Sequence, residues 1–173
     1  MEYEDEPLTP KEVFNLLTRP IDVKFILYSD LKRLPKDGEY YLCLYRENPK
    51  LGHWIVINRI KNTIYYFDPL GGAVHGEPDG ILDDYDEIDE SINQNLNQTF
   101  QLSDLLKKNK NLKIEYNDYP FMGNHEDTCG RWAALYMNLG LPIEEFKKII
   151  KPFMKNKQFI LKITNAPIKY DTY

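Results

Sequence analysis

Three apolar runs rich in β-branched and aromatic residues, EYYLCLYRE, HWIVINRI and TIYYFDPL, follow one another between residues 39 and 70, and they constrain the fold more than any other feature. NPKLG separates the first two and Lys61-Asn62 the last two, so the chain has room only for tight reversals. This spacing predicts an antiparallel meander. A turn centred on residues 61 and 62 sets position 68 roughly opposite position 55, which brings Asp68 to the end of the hairpin where HWIVINRI begins with His53.

The flanks read differently. LTPKEVFNLLTRP carries Thr9 as N-cap, Pro10 at the first helical position and Glu12 closing a capping box, predicting a short helix over 10–18. Residues 23–34 mix apolar and charged side chains without a clean period and are compatible with a short helix or an extended piece ended by Pro35. Residues 71–90 are Gly-rich and then acidic, an irregular loop leading to a helix with a solvated face. A short helix is expected around Ser103–Leu106 and a strand at 112–117. After Thr128, Ala133, Ala134, Tyr136, Met137 and Leu139 give an apolar helical face stopped by Gly140. A further helix starts at Pro142, with Ile143, Phe146, Ile149 and Ile150 as its buried stripe, and ends at Pro152; QFILKIT is expected as a last strand and NAPIKYDTY as a tail. Strands followed by helices over 173 residues imply one α+β domain covering 1–173.

Composition excludes some roles. A net charge of −5 with pI near 5.3 provides no positive field for nucleic acid or an anionic membrane. The start MEYEDEPLTP has no basic and apolar leader pattern, and no run of about 18 apolar residues occurs, so a soluble, unsecreted chain is expected. There is no CxxC or HExxH spacing, and three scattered His residues do not make a zinc site; neither metal nor another cofactor is expected.

The two cysteines differ in setting. Cys43 lies inside YYLCLY and reads as core. Cys129 lies in DTCGRWA, where a helix should begin, near unpaired backbone N–H groups and the positive end of the helix dipole, conditions that favour thiolate. Gly130 leaves the approach open for N–H groups to face a developing oxyanion. A thiolate nucleophile needs a base that can protonate a leaving amine, and His is the natural partner at neutral pH. His53, His75 and His125 are the candidates; the strand position of His53 favours it for rigidity, while His125 stays a rival by proximity in sequence. Asp68 is the acceptor that would orient His53.

The order GHW, YYFDPLGG, DTCGRW resembles the adenovirus-type and ubiquitin-like-protein-specific cysteine proteases over roughly residues 38–150, and within them the maturation proteases of virophages and related double-stranded DNA viruses. The resemblance implies a papain-like α+β fold, a central, mostly antiparallel sheet carrying His and Asp and packed on the helix that carries Cys. It implies His53 as general base, Asp68 as its orienter, Cys129 as nucleophile and Trp54 as a wall of the substrate cleft. The family usually places a Gln six or seven residues before the nucleophile; here Met122 and Gly123 stand there, so Asn124 and the Cys129 backbone N–H are the expected oxyanion donors. Arg131 and Trp132 are expected to pack the catalytic helix against the sheet.

The implied function is a monomeric cysteine endopeptidase that cleaves viral capsid or scaffold precursors beside Gly, in the host cytoplasm or the virion. The alternative is an isopeptidase that removes ubiquitin or a ubiquitin-like modifier from host proteins. An acyltransferase on the same scaffold, releasing the thioester to a lysine or serine, is a third reading, and a non-enzymatic binding or structural protein on the same fold a fourth.

Overall fold

A computed structural model describes residues 8–48, 51–71, 101–123 and 126–164. The three apolar runs form the middle of a five-stranded sheet of order β1-β2-β3-β4-β5: β1 Val23–Leu27, β2 Tyr40–Asn48, β3 Leu51–Ile60, β4 Thr63–Phe67 and β5 Lys113–Tyr116. The β2–β3 and β3–β4 pairs are antiparallel, as the tight reversals require. At the second reversal Lys61 adopts φ 53° and Ile60 pairs with Thr63, the geometry of a two-residue turn.

The outer pairs are parallel, which corrects the expected mostly antiparallel sheet to a mixed one. Parallel neighbours need a crossover of a dozen or more residues. Residues 28–39, opening with a 3₁₀ turn at Tyr28–Asp30, supply the first crossover, and the long stretch from Asp68 to Leu112 supplies the second. Neither β1 nor β5 carries the apolar run of a central strand, because each is an edge with exposed positions.

Successive side chains of the central strands alternate between two cores. Tyr40, Leu42, Trp54, Val56, Tyr65 and Phe67 face one cluster; Tyr41, Cys43, Ile55, Ile57, Ile64 and Tyr66 face the other. Burial on both faces is why these strands read as continuous apolar runs. The second face is covered by Tyr28, Leu31 and helix α2 (Gln101–Lys107), through Leu102 and Leu106.

The first face carries the other helices. In α1, Pro10–Asn15, the Thr9 capping box forms as expected, but the helix stops short of residue 18. The following residues are recruited elsewhere: Thr18 N–H donates to Asn138 Oδ1 at 2.8 Å, and Arg19 donates to the carbonyls of Met137 (2.7 Å) and Asn138 (3.0 Å). Arg19 thereby satisfies the open C-terminal carbonyls of α3, Cys129–Leu139, which ends on Gly140 at φ 63°.

Helix α3 is buried from Gly130 to Met137 because it lies between the sheet and other helices, so its apolar character runs nearly all round. Leu139, expected on the buried face, is 39% exposed beyond that contact. Helix α4, Ile143–Ile150, buries Ile143, Phe146 and Ile150 and turns Ile149 outward at 55% exposure, correcting the expected stripe by one residue. A 3₁₀ turn at Lys151–Phe153 contains the terminating Pro152.

QFILKIT is not a strand but most of α5, Lys157–Ile163. Its β-like composition is overridden by the turn before it, where Lys155 takes φ 62° and Asn156 Oδ1 accepts the Phe159 N–H at 3.0 Å, capping a helix that buries Ile160 and Leu161. The expected acidic loop at 71–90, apart from Gly71, and the tail 165–173 lie outside the described residues.

Candidate functional site

The antiparallel register of β3 and β4 pairs Val56 with Phe67, and one further step sets Asp68 opposite Ile55. His53 is two residues along β3 from that point, a diagonal relation that leaves both side chains on the same side of the ribbon and within reach. A hydrogen bond joins His53 Nε2 to Asp68 Oδ1 at 2.5 Å. Both are deeply buried, at 5% and 1% exposure.

Asp68 is held by more than its strand. Its Oδ1 also accepts the Leu70 N–H at 2.9 Å, and the Gly71 N–H donates to the Asp68 carbonyl at 2.9 Å, closing a turn with Pro69 at the second position. Gly71 needs its missing side chain: at φ 69°, a Cβ there would lie 2.3 Å from the Tyr119 carbonyl carbon. Phe121 and Met122 donate their N–H groups to the Pro69 carbonyl at 2.8 and 3.1 Å.

Cys129 is the first residue of α3 and is partly exposed, unlike Cys43, which is fully buried and whose thiol is pushed up by that burial. The Cys129 side chain lies near enough to His53 to raise the pKa of the ring. Burial disfavours the imidazolium, but the interactions with Asp68 and Cys129 outweigh it and carry the His53 pKa from 6.5 up to about 10. The buried carboxylate and ring thus form a hydrogen-bonded pair, with the partly exposed thiol acting on the ring from the helix start.

Thr128, the N-cap of α3, does not cap it with its side chain; its hydroxyl donates to Glu126 Oε2 at 3.1 Å. The N–H groups of the first turn are therefore not engaged by a side-chain cap, the electrostatic setting expected for the start of this helix. Asn124, His125 and His75, the remaining residues singled out in the sequence, lie outside the described residues.

Trp54 packs beneath the first turn of α3. Its Nε1 donates to the Leu8 carbonyl at 2.8 Å, its ring meets Phe25 edge-on at 5.7 Å, and a Cβ added at Gly130 would stand 3.1 Å from its Cδ1. Glycine at 130 is what lets helix and indole approach. Arg131 is 2% exposed and its Nη1 donates to Thr164 Oγ1 at 3.4 Å, at the end of α5. Trp132 is buried among Phe121, Phe159 and the core.

One residue escapes the sequence reading. Asn117, 1% exposed just beyond β5, accepts the Asp68 N–H on Oδ1 at 2.9 Å, and its Nδ2 donates to the Asp68 carbonyl at 2.5 Å and to the Tyr119 carbonyl at 2.9 Å. The only signal for it is its place at the end of the strand beside the Asp68 strand. Among the described residues no group of three His, Cys, Asp or Glu side chains is arranged to hold a metal ion.

No family model and no curated protein matches the chain. Among solved structures it is similar to a SUMO protease Ulp1 with its catalytic cysteine oxidised to a sulfinic acid, at 14% identity and a TM-score of 0.29. That match covers 77% of this chain and 45% of the other, so the chain spans less than half of that protein's length.

Proposed function

We propose that the protein is a cysteine peptidase in which Cys129 is the nucleophile, His53 the proton carrier and Asp68 the group that orients it. The observation that carries this reading is a buried imidazole hydrogen-bonded to a buried carboxylate and influenced by a partly exposed thiol at a helix start.

In the proposed cycle the Cys129 sulfur attacks a peptide carbonyl and a C–S bond forms. His53 delivers its proton to the departing amine as the C–N bond breaks. Water then attacks the thioester, gives a proton back to His53 and releases the acid, and the thiol is restored. Asp68 keeps the ring aligned and favours its charged form throughout, without itself being protonated. The backbone N–H at the start of α3, with Asn124 as a second donor, serves the oxyanion.

The substrates proposed are viral capsid or scaffold precursors cut beside Gly. A residue without a side chain beside the scissile bond suits a narrow cleft through which the substrate backbone passes close to the enzyme. Co-expression with a capsid precursor tests this: wild type should process it and Cys129→Ala should not. Parallel incubation with ubiquitin-like modifiers bearing a C-terminal electrophile separates the isopeptidase reading. Labelling of Cys129 by those probes, with the precursor left intact, would replace the capsid assignment. An absence of turnover together with equal, slow alkylation of both cysteines would end the peptidase reading itself.

A further inference from the structure

The backbone of Asp68 is gripped on both sides of one residue by a single side chain. Asn117 Oδ1 takes its N–H and Asn117 Nδ2 supplies its carbonyl, at 2.9 and 2.5 Å. A primary amide offers an acceptor and donors in one plane, so it can imitate the edge of a neighbouring strand where no strand continues. β4 ends at Phe67 and β5 at Tyr116, and Asn117 extends their pairing by one residue through its side chain.

The remaining Nδ2 hydrogen goes to the Tyr119 carbonyl, which fixes the amide's orientation. That carbonyl is also the group that leaves no room for a side chain at Gly71. Residues 117–122 therefore bracket the Asp68–Gly71 turn from both ends: Asn117 at Asp68, and Phe121 and Met122 at Pro69. The same segment runs on to Cys129, twelve residues after Asn117.

We infer that Asn117 is the positioning residue of the site: it sets the direction in which the Asp68 carboxylate meets His53, and through it the reactivity of Cys129. The inference rests on the peptidase reading. An amide grip on both backbone atoms fixes the direction of the Cα–Cβ bond from which the carboxylate reaches His53. Asp68 has one backbone N–H and one carbonyl; with both committed to Asn117, its carboxylate is carried on a fixed frame.

The test uses iodoacetamide, a small neutral probe, on the full chain. The rate at Cys129 is followed by peptide mass spectrometry from pH 5 to 10 for wild type, His53→Ala, Asp68→Asn, Asn117→Ala and Asn117→Ser. Loss of Asp68's alignment should lower the pH at which His53 releases its proton. The reactivity profile of Asn117→Ala should therefore move in the same direction as that of Asp68→Asn, by about half a pH unit or more. Asn117→Ser, which keeps one hydroxyl for the grip, should fall between Asn117→Ala and wild type. Thermal melting reports whether each variant folds; if Asn117→Ala does not, Asn117→Ser carries the test. A folded Asn117 variant that melts earlier yet keeps the wild-type profile, while Asp68→Asn shifts, overturns the inference and leaves the peptidase reading standing. If His53→Ala and Asp68→Asn also keep the wild-type profile, the reading beneath it falls too.

Discussion

His53 is caught between two opposing effects, since burial drives an imidazole toward neutrality while an adjacent carboxylate and thiol hold it charged, and its raised pKa of about 10 says that the partners prevail. A folded-state pKa above the unfolded value of 6.5 means that the native protein binds this proton more tightly. The stabilisation is complete below pH 6.5 and is lost as pH rises toward 10. Thermal melts of wild type and His53→Gln between pH 6 and 10 should show the wild-type advantage widest at the acid end and shrinking through that window. A difference independent of pH would mean that the buried ring is neutral. Cys129→Ala, a small change at a half-open helix start, should keep the melting temperature within a few degrees and lower turnover by at least about 10³-fold. His53, Asp68 and Cys129 are legible in the sequence because each belongs to a short motif at a recognisable element boundary, and because a two-residue turn fixes which positions face each other. Asn117 is invisible there: its bonds go to backbone atoms of a residue 49 positions away, and a lone Asn after a strand ordinarily signals nothing more than a turn.

Strands and helices differ in how much of their placement is local. The three central strands can be read directly, since both faces are buried and every residue is apolar or aromatic for several positions. β1 is not legible: VKFIL pairs with β2 in parallel through a crossover, so no hairpin links it to its neighbour, and its side chains at Lys24 and Phe25 remain exposed. The last helix was hidden by composition, as Phe, Ile, Leu and Ile favour either state until a cap decides. That cap is testable. Asn156→Ala removes the bond to the Phe159 N–H and should cost about 1 kcal/mol in urea unfolding. Phe67 has a larger share in the fold. It stacks on Tyr136 at 4.2 Å and meets Phe121 and Phe146 at 5.1 and 5.5 Å, tying the strand that leads into Asp68 to α3 and α4. Phe67→Ala should cost about 3–5 kcal/mol, read from the same unfolding curves, and should slow Cys129 alkylation by loosening the carboxylate next to it.

Across the whole molecule the two thiols sample different depths of the same structure. Cys129 sits at the head of a helix and is partly exposed, whereas Cys43 is fully buried in the middle of β2, hydrogen-bonded into a ladder with Ile26 on one side and Ile55 on the other. Its sulfur belongs to the apolar cluster beneath α2, and no reagent reaches it without parting β2 from a neighbour or lifting that cover. Opening of a central strand costs a free energy close to that of global unfolding, typically about 5–15 kcal/mol for a domain. In native buffer iodoacetamide should therefore modify Cys129 at least about a thousandfold faster than Cys43. In a urea series, the midpoint at which Cys43 becomes reactive should coincide with the loss of tryptophan fluorescence. The Cys129→Ala variant should give the same Cys43 midpoint, because removing the surface thiol leaves both apolar faces of the sheet intact. Reaction of Cys43 well before the fluorescence transition would show that the sheet opens on its α2 side as a separate unit, and that the two cores do not unfold as one.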